Sequence, residues 1–174
     1  LKKAGAELKQ RYKKIDSKAA KIIGYGALKY GILKVSPEKN VIFNWQQALS
    51  FDGESAPYIQ YAYARISSII KKNKNKLPKK ADFSLLDKKE EIELIKKLAE
   101  FPSIVEKTTN ELRPSIIANY VYELAKQFNE YYHVHNILKE KDEIKNARLV
   151  LVDCVRQVLK NSLNLLGIGV LERM

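Results

Sequence analysis

Pro114-Ser115-Ile116-Ile117-Ala118-Asn119-Tyr120-Val121-Tyr122-Glu123-Leu124-Ala125-Lys126-Gln127-Phe128-Asn129-Glu130-Tyr131-Tyr132-His133 is the stretch on which the fold class turns. A proline at its head suits a first helical turn. Ile117, Tyr120, Val121, Leu124 and Phe128 recur at three- and four-residue intervals, so the spacing predicts a helix over 114–133 with one apolar face. Outward from it the pattern repeats. Asp87 is expected to cap a helix over 88–100 that carries Ile92, Leu94, Ile95 and Leu98. Pro102 opens a helix to Leu112. Asp142 is expected to cap a long helix to about Leu166, and Gly167 to close it. No alternating strand pattern follows Ala81, so this part reads as an all-α bundle of four main helices.

Before Ala81 the punctuation is denser. Residues 4–12 read as a short polar helix. Ser17 is expected to cap a helix over 18–33, where Ile22, Ile23, Ala27, Leu28, Tyr30 and Leu33 form the apolar stripe. Gly24, Gly26 and Gly31 interrupt it at about 1 kcal/mol each, which implies another backbone packed close by. No strand precedes this Gly-x-Gly, so it is not a dinucleotide loop. Residues 41–45 read either as a strand or as the entry to a helix. Phe51-Asp52-Gly53-Glu54 is turn chemistry, and Ser55 is expected to cap a helix to about Asn73. Residues 71–80 then hold six lysines and no acid, which predicts an exposed loop and a domain boundary.

The chain has 174 residues, 45% of them hydrophobic, enough for a folded core and too few in any one run to span a membrane. A single Cys excludes a disulfide framework. The chain starts at Leu1 without a signal-like segment, so a processed product or a piece of a longer protein is expected. Residues 1–80 carry 18 basic and 5 acidic side chains, against 14 and 15 in residues 81–174; the whole excess of +12 therefore sits in the first part. Such a surface suits a polyanion, although solubility and a lysine-favouring composition account for it equally. No catalytic set is found. Cys154 is expected as a buried thiol on the apolar side of the last helix, with no His to activate it. His133 and His135, two apart, diverge on a helix and would share a metal only on extended backbone. Glu90, Glu91, Asp142 and Glu143 read as solvated. Tyr58, Tyr61 and Tyr63, with Tyr120, Tyr122, Tyr131 and Tyr132, either pack or offer flat faces to unstacked bases.

At Phe51-Asp52-Gly53-Glu54-Ser55-Ala56-Pro57-Tyr58-Ile59-Gln60-Tyr61-Ala62-Tyr63-Ala64-Arg65 the chain resembles the segment after the catalytic core in arginyl-tRNA synthetases. Gly24-Tyr25-Gly26-Ala27-Leu28-Lys29-Tyr30 and Phe43-Asn44-Trp45 are similar to the same family. Asn119-Tyr120-Val121-Tyr122-Glu123-Leu124-Ala125, Ala147-Arg148-Leu149, Val155-Arg156-Gln157-Val158-Leu159-Lys160-Asn161, Leu165-Leu166-Gly167-Ile168 and the terminal Glu172-Arg173-Met174 resemble its C-terminal, DALR-type anticodon-binding domain. The resemblance implies a cytoplasmic class I enzyme that joins arginine to its tRNA with ATP. The family's HIGH-like and KMSKS-like signatures lie upstream and find no match here. The chain is thus expected to be inactive alone, with the ATP and arginine sites outside it, no catalytic residue and no metal site.

The resemblance further implies an all-α chain in two parts: 1–76, the end of the catalytic region and stem-contact helices, and 77–174, the anticodon-binding bundle. Its implied partners are tRNA(Arg) and the upstream catalytic domain, with no membrane. In the family a Tyr at the position of Tyr132, an aromatic residue four positions on, and the terminal Met lie against anticodon-loop bases. Tyr132 and Met174 match. Asn136 departs from the aromatic, so a hydrogen bond would replace stacking there. Leu171 stands where a Pro is usual, which implies a looser terminal turn. Lys71, Lys72, Lys74 and Lys76 are phosphate contacts by charge rather than by motif. The alternative is a free-standing helical RNA-binding or protein-interaction adaptor.

Overall fold

The computed structural model describes residues 16–74, 77, 78 and 80–174, and all regular structure among them is helical. The helix expected over 4–12, and Lys76, lie outside the described residues. Helix α1 (Ser17–Leu33) is capped one residue earlier than expected, by Asp16, whose carboxylate accepts from the Lys18 amide at 3.3 Å. Residues 41–44 lead into a short helix α2 (Trp45–Ala48), where Asn44 Oδ1 accepts from the Gln46 and Gln47 amides. They form no strand. Gly53, at φ +79°, makes the turn that delivers Ser55 as cap of α3 (Ala56–Lys72). Lys71 and Lys72 are the last turn of α3, not part of a loop. There their charge meets the negative end of the helix dipole, which offsets their mutual repulsion.

A 3₁₀ turn at Phe83–Leu85 precedes α4 (Lys89–Ala99). Asp87 does not cap α4. The Glu91 carboxylate reaches back to the Lys88 amide at 3.1 Å, which is half of a capping box. Helix α5 (Phe101–Glu111) ends at Leu112 in the left-handed conformation, φ +53°. Helices α6 (Pro114–Val134) and α7 (Asp142–Leu165) follow. Lys141, not Asp142, holds the cap position of α7; Asp142 sits in its first turn and pairs with Lys145. Gly167 closes α7 as expected. At φ +66° it lets its own amide reach Asn164 O at 2.9 Å and the Ile168 amide reach Leu163 O at 2.8 Å, a Schellman motif.

Helix α6 is the centre of the molecule and packs against α3, α4, α5 and α7, while α3 packs against α1, α6 and α7. One buried cluster runs from Tyr30 through Ile59, Ile66, Leu94, Val121, Phe128 and Leu159 to Ile168, so both parts of the chain contribute to a shared core. Burying a Leu or Phe side chain there contributes about 2 kcal/mol. Gly26 and Gly31 of α1 admit side chains rather than another backbone. A Cβ on Gly31 would lie 2.9 Å from the Phe43 ring, and one on Gly26 3.0 Å from Gln60 Nε2. Gln60 Nε2 donates to Gly169 O at 2.7 Å, which ties the C-terminal segment to α3.

Candidate nucleic-acid interface

Two grooves flank the C-terminal end of α3. The first, about 500 Å³, is lined by Ile69 and Lys72 of α3, Tyr132 and His133 of α6, and the connection 135–139. No acidic side chain lines it. The second, about 540 Å³, is lined by Ser67, Ile70 and Lys71 of α3, Leu77, Arg156 of α7, and Glu172 and Arg173. The helical period explains the division: Lys71 and Lys72 are consecutive, so they project about 100° apart and each borders a different groove.

Tyr132 lies on the outer side of α6 and is 38% exposed. Its neighbours are assembled by helix spacing. Phe128, four residues earlier, stacks at 6.0 Å between centroids. From α3, the Arg65 guanidinium sits 5.1 Å from the Tyr132 ring and 4.7 Å from the Tyr61 ring, and donates to Asn129 Oδ1 at 2.7 Å. A guanidinium between two aromatic rings and a fixed acceptor has little rotational freedom, so it holds Tyr132 in one orientation. Asn136 shares the groove; its Oδ1 accepts from the Lys139 amide at 3.2 Å. Met174 is 40% exposed beyond Arg173. Lys74 is exposed in the turn after α3. The structure thus brings Tyr132, Asn136 and Lys72 to one groove and Lys71 to the other.

Behind the first groove is a polar cluster that the spacing of charges did not disclose. Glu91, expected in solvent, is fully buried, and Arg148 is 5% exposed. Arg148 Nε donates to Glu91 Oε1 at 2.7 Å, and its NH1 donates to Glu140 Oε1 at 2.9 Å. Burial alone would lower the Arg148 pKa; the Glu91 hydrogen bond and the neighbouring charges raise it above its ordinary value. His135, on extended backbone at the end of α6, bonds Glu90 Oε2 through Nε2 at 3.0 Å and faces Arg148 through Nδ1 at 3.5 Å. The hydrogen bond to His135 holds the Glu90 carboxyl below the usual range. His133 is exposed, and no group of three metal-ligating side chains occurs among the described residues. Cys154 is exposed rather than buried, because it projects about 100° away from its buried neighbour Val155 around the helix. Partial burial still raises its pKa, which disfavours the thiolate.

Tyr30, Tyr63, Tyr120 and Tyr131 are core residues, while Tyr61 and Tyr132 are partly open to solvent. Sequence spacing offered one signal for this interface: Tyr61–Arg65 and Phe128–Tyr132 are both i,i+4 pairs. Their meeting across two helices, and the approach of Glu91 to Arg148, carried none.

The DALR anticodon binding domain family model matches residues 59–174. The chain is 47% identical over 156 residues to an arginine–tRNA ligase of Clostridium botulinum, covering 89% of this chain and 28% of that protein. It is 48% identical over 159 residues to one of Pyrococcus abyssi, covering 89% and 25%. Among solved structures, the arginyl-tRNA synthetase of Thermus thermophilus superposes with a TM-score of 0.89 at 30% identity, over 99% of this chain and 30% of that one. The Plasmodium falciparum enzyme gives 0.81 at 26% identity, over 99% and 32%. The chain therefore spans between a quarter and a third of the length of these relatives.

Proposed function

The chain belongs to the DALR anticodon binding domain family, and from that premise we propose that it is the C-terminal tRNA-binding region of an arginine–tRNA ligase. In this reading residues 1–76 end the catalytic region and supply stem-contact helices, and 77–174 receive the anticodon loop. The division is one of function, since α3 and α6 share a core. Lys71, Lys72, Lys74 and Lys76 contact phosphates, which sets affinity without reading sequence. Tyr132, Asn136 and Met174 meet bases, by stacking, hydrogen bonding and apolar contact respectively. ATP-dependent arginylation of tRNA(Arg) in the cytoplasm belongs to the longer protein, through catalytic residues upstream, and this chain alone does not activate arginine.

The observation that carries the reading is the shared groove of Tyr132, Asn136 and Lys72, an aromatic ring, an amide and a cation with no acid between them. The test is a binding titration of the chain against an arginine-accepting tRNA and an unrelated tRNA over a salt series. Preference for the first is expected at every salt concentration, with both affinities falling as salt rises. Equal affinity for the two would overturn the reading.

A further inference from the structure

We propose that Arg148 is a positioning residue for base recognition: it holds the connection 135–140 in the place where Asn136 and Lys139 line the first groove. The proposal rests on the function proposed above and deepens it. Arg148 does not itself line the groove. One guanidinium instead joins four points. Its Nε reaches Glu91, at the start of α4. Its NH1 reaches Glu140 Oε1 at 2.9 Å and approaches Asn136 O at 3.5 Å, and its NH2 approaches His135 Nδ1 at 3.5 Å. Three of the four points lie on the connection between α6 and α7, and the fourth is the fully buried Glu91, itself bonded to the Lys88 amide. The connection is therefore referenced to the body of the bundle through a buried, planar, five-donor group. Glu91 cannot move without leaving a buried charge unpaired, so the reference point is rigid. Ile137, buried to 2% exposure, anchors the same segment from the apolar side. Asn136 lies between the two anchors, and its side chain accepts from the Lys139 amide. The position of Asn136 is thus set by the approach of Arg148 to its own carbonyl and by the held side chains of His135 and Ile137, one residue away on either side.

The test uses two substitutions. Arg148→Lys keeps a cation for Glu91 but gives up the planar fork that spans to Glu140. Glu140→Ala leaves the buried Glu91–Arg148 pair whole and removes the tether on the connection, so it bears on the proposal even where the first variant folds poorly. Affinity is measured for an arginine-accepting tRNA and for the same tRNA with anticodon-loop bases replaced one at a time. Amide hydrogen exchange at Lys139 is followed in the free protein. Each variant is expected to lose about fivefold of the preference for the native loop, as coupled networks do. Exchange at Lys139 should quicken, and the dependence of affinity on salt should stay the same, because no phosphate contact is lost. Unchanged loop preference in Glu140→Ala, or unchanged exchange in both variants, would overturn the proposal. Equal weakening toward every loop, with a shallower salt dependence, would also overturn it, since that marks a phosphate contact. Absence of loop preference in the unsubstituted protein would instead overturn the function on which the proposal rests.

Discussion

Tyr131 and Tyr132 are adjacent in sequence and opposite in environment. Tyr131 is fully buried, and its hydroxyl has no hydrogen-bond partner among the described residues. Burial pushes its pKa well above the ordinary value for tyrosine. A desolvated hydroxyl without a partner costs stability, so Tyr131→Phe is expected to stabilise the chain by about 1 kcal/mol; urea denaturation followed by circular dichroism checks this. Tyr132, held by Phe128 and Arg65, stays partly open. Tyr132→Ala is expected to cost roughly 1–3 kcal/mol of tRNA binding by analogy with base–aromatic stacking. Unchanged affinity in a variant with intact helical dichroism would remove Tyr132 from the interface.

The elements end where local chemistry tells them to, although the capping atom is not always the expected one. Asp16 replaces Ser17 at α1, and Lys88 with Glu91 replaces Asp87 at α4. These shifts of one residue arise because several polar side chains compete for the same free amides, and packing selects among them. The end of α7 is unambiguous. Only a residue tolerant of φ +66° closes the Schellman motif, and the same turn aims Ile168 back into the core. Lys29 Nζ also donates to Gly167 O. Gly167→Ala is expected to destabilise the chain by about 1–2 kcal/mol through the left-handed backbone. The thermal midpoint should fall while the helical content of the native state is unchanged.

On the scale of the whole molecule, α1 and α3 of the basic first part share one core with the helices of the near-neutral second part, so among the described residues the charge contrast is one of surfaces rather than of separate bodies. Its pH response is set at both ends. Glu38 is held below its ordinary pKa by Ser36, Asp87 by Lys88, Glu90 by His135 and Asp142 by Lys145. A carboxyl with a lowered folded pKa contributes stability above its unfolded value and loses it as pH falls through the folded one. Tyr30, Tyr120 and Tyr131 are raised above 10.0, chiefly by burial. Their contribution is complete below that value and lost as pH rises beyond it. Thermal midpoints are therefore expected to decline below about pH 4.5 and again above about pH 10, with little change from these groups between. A midpoint that stayed level below pH 4 would show that these carboxylates do not stabilise the fold.

What the sequence determined by itself is what short range controls: the helices around the 114–133 stretch, the turns at Gly53 and Gly167, the cap at Ser55, and the concentration of charge before Ala81. Each follows from a period or a backbone requirement within a few residues. Tertiary structure alone decided that Glu91 is buried against Arg148, 57 positions away, and that Arg65 lies between Tyr61 and Tyr132. The helical period marks which side of α4 or α7 a residue occupies. It does not say which helix will cover that side, and a charge on a covered side finds its partner only when the two helices meet.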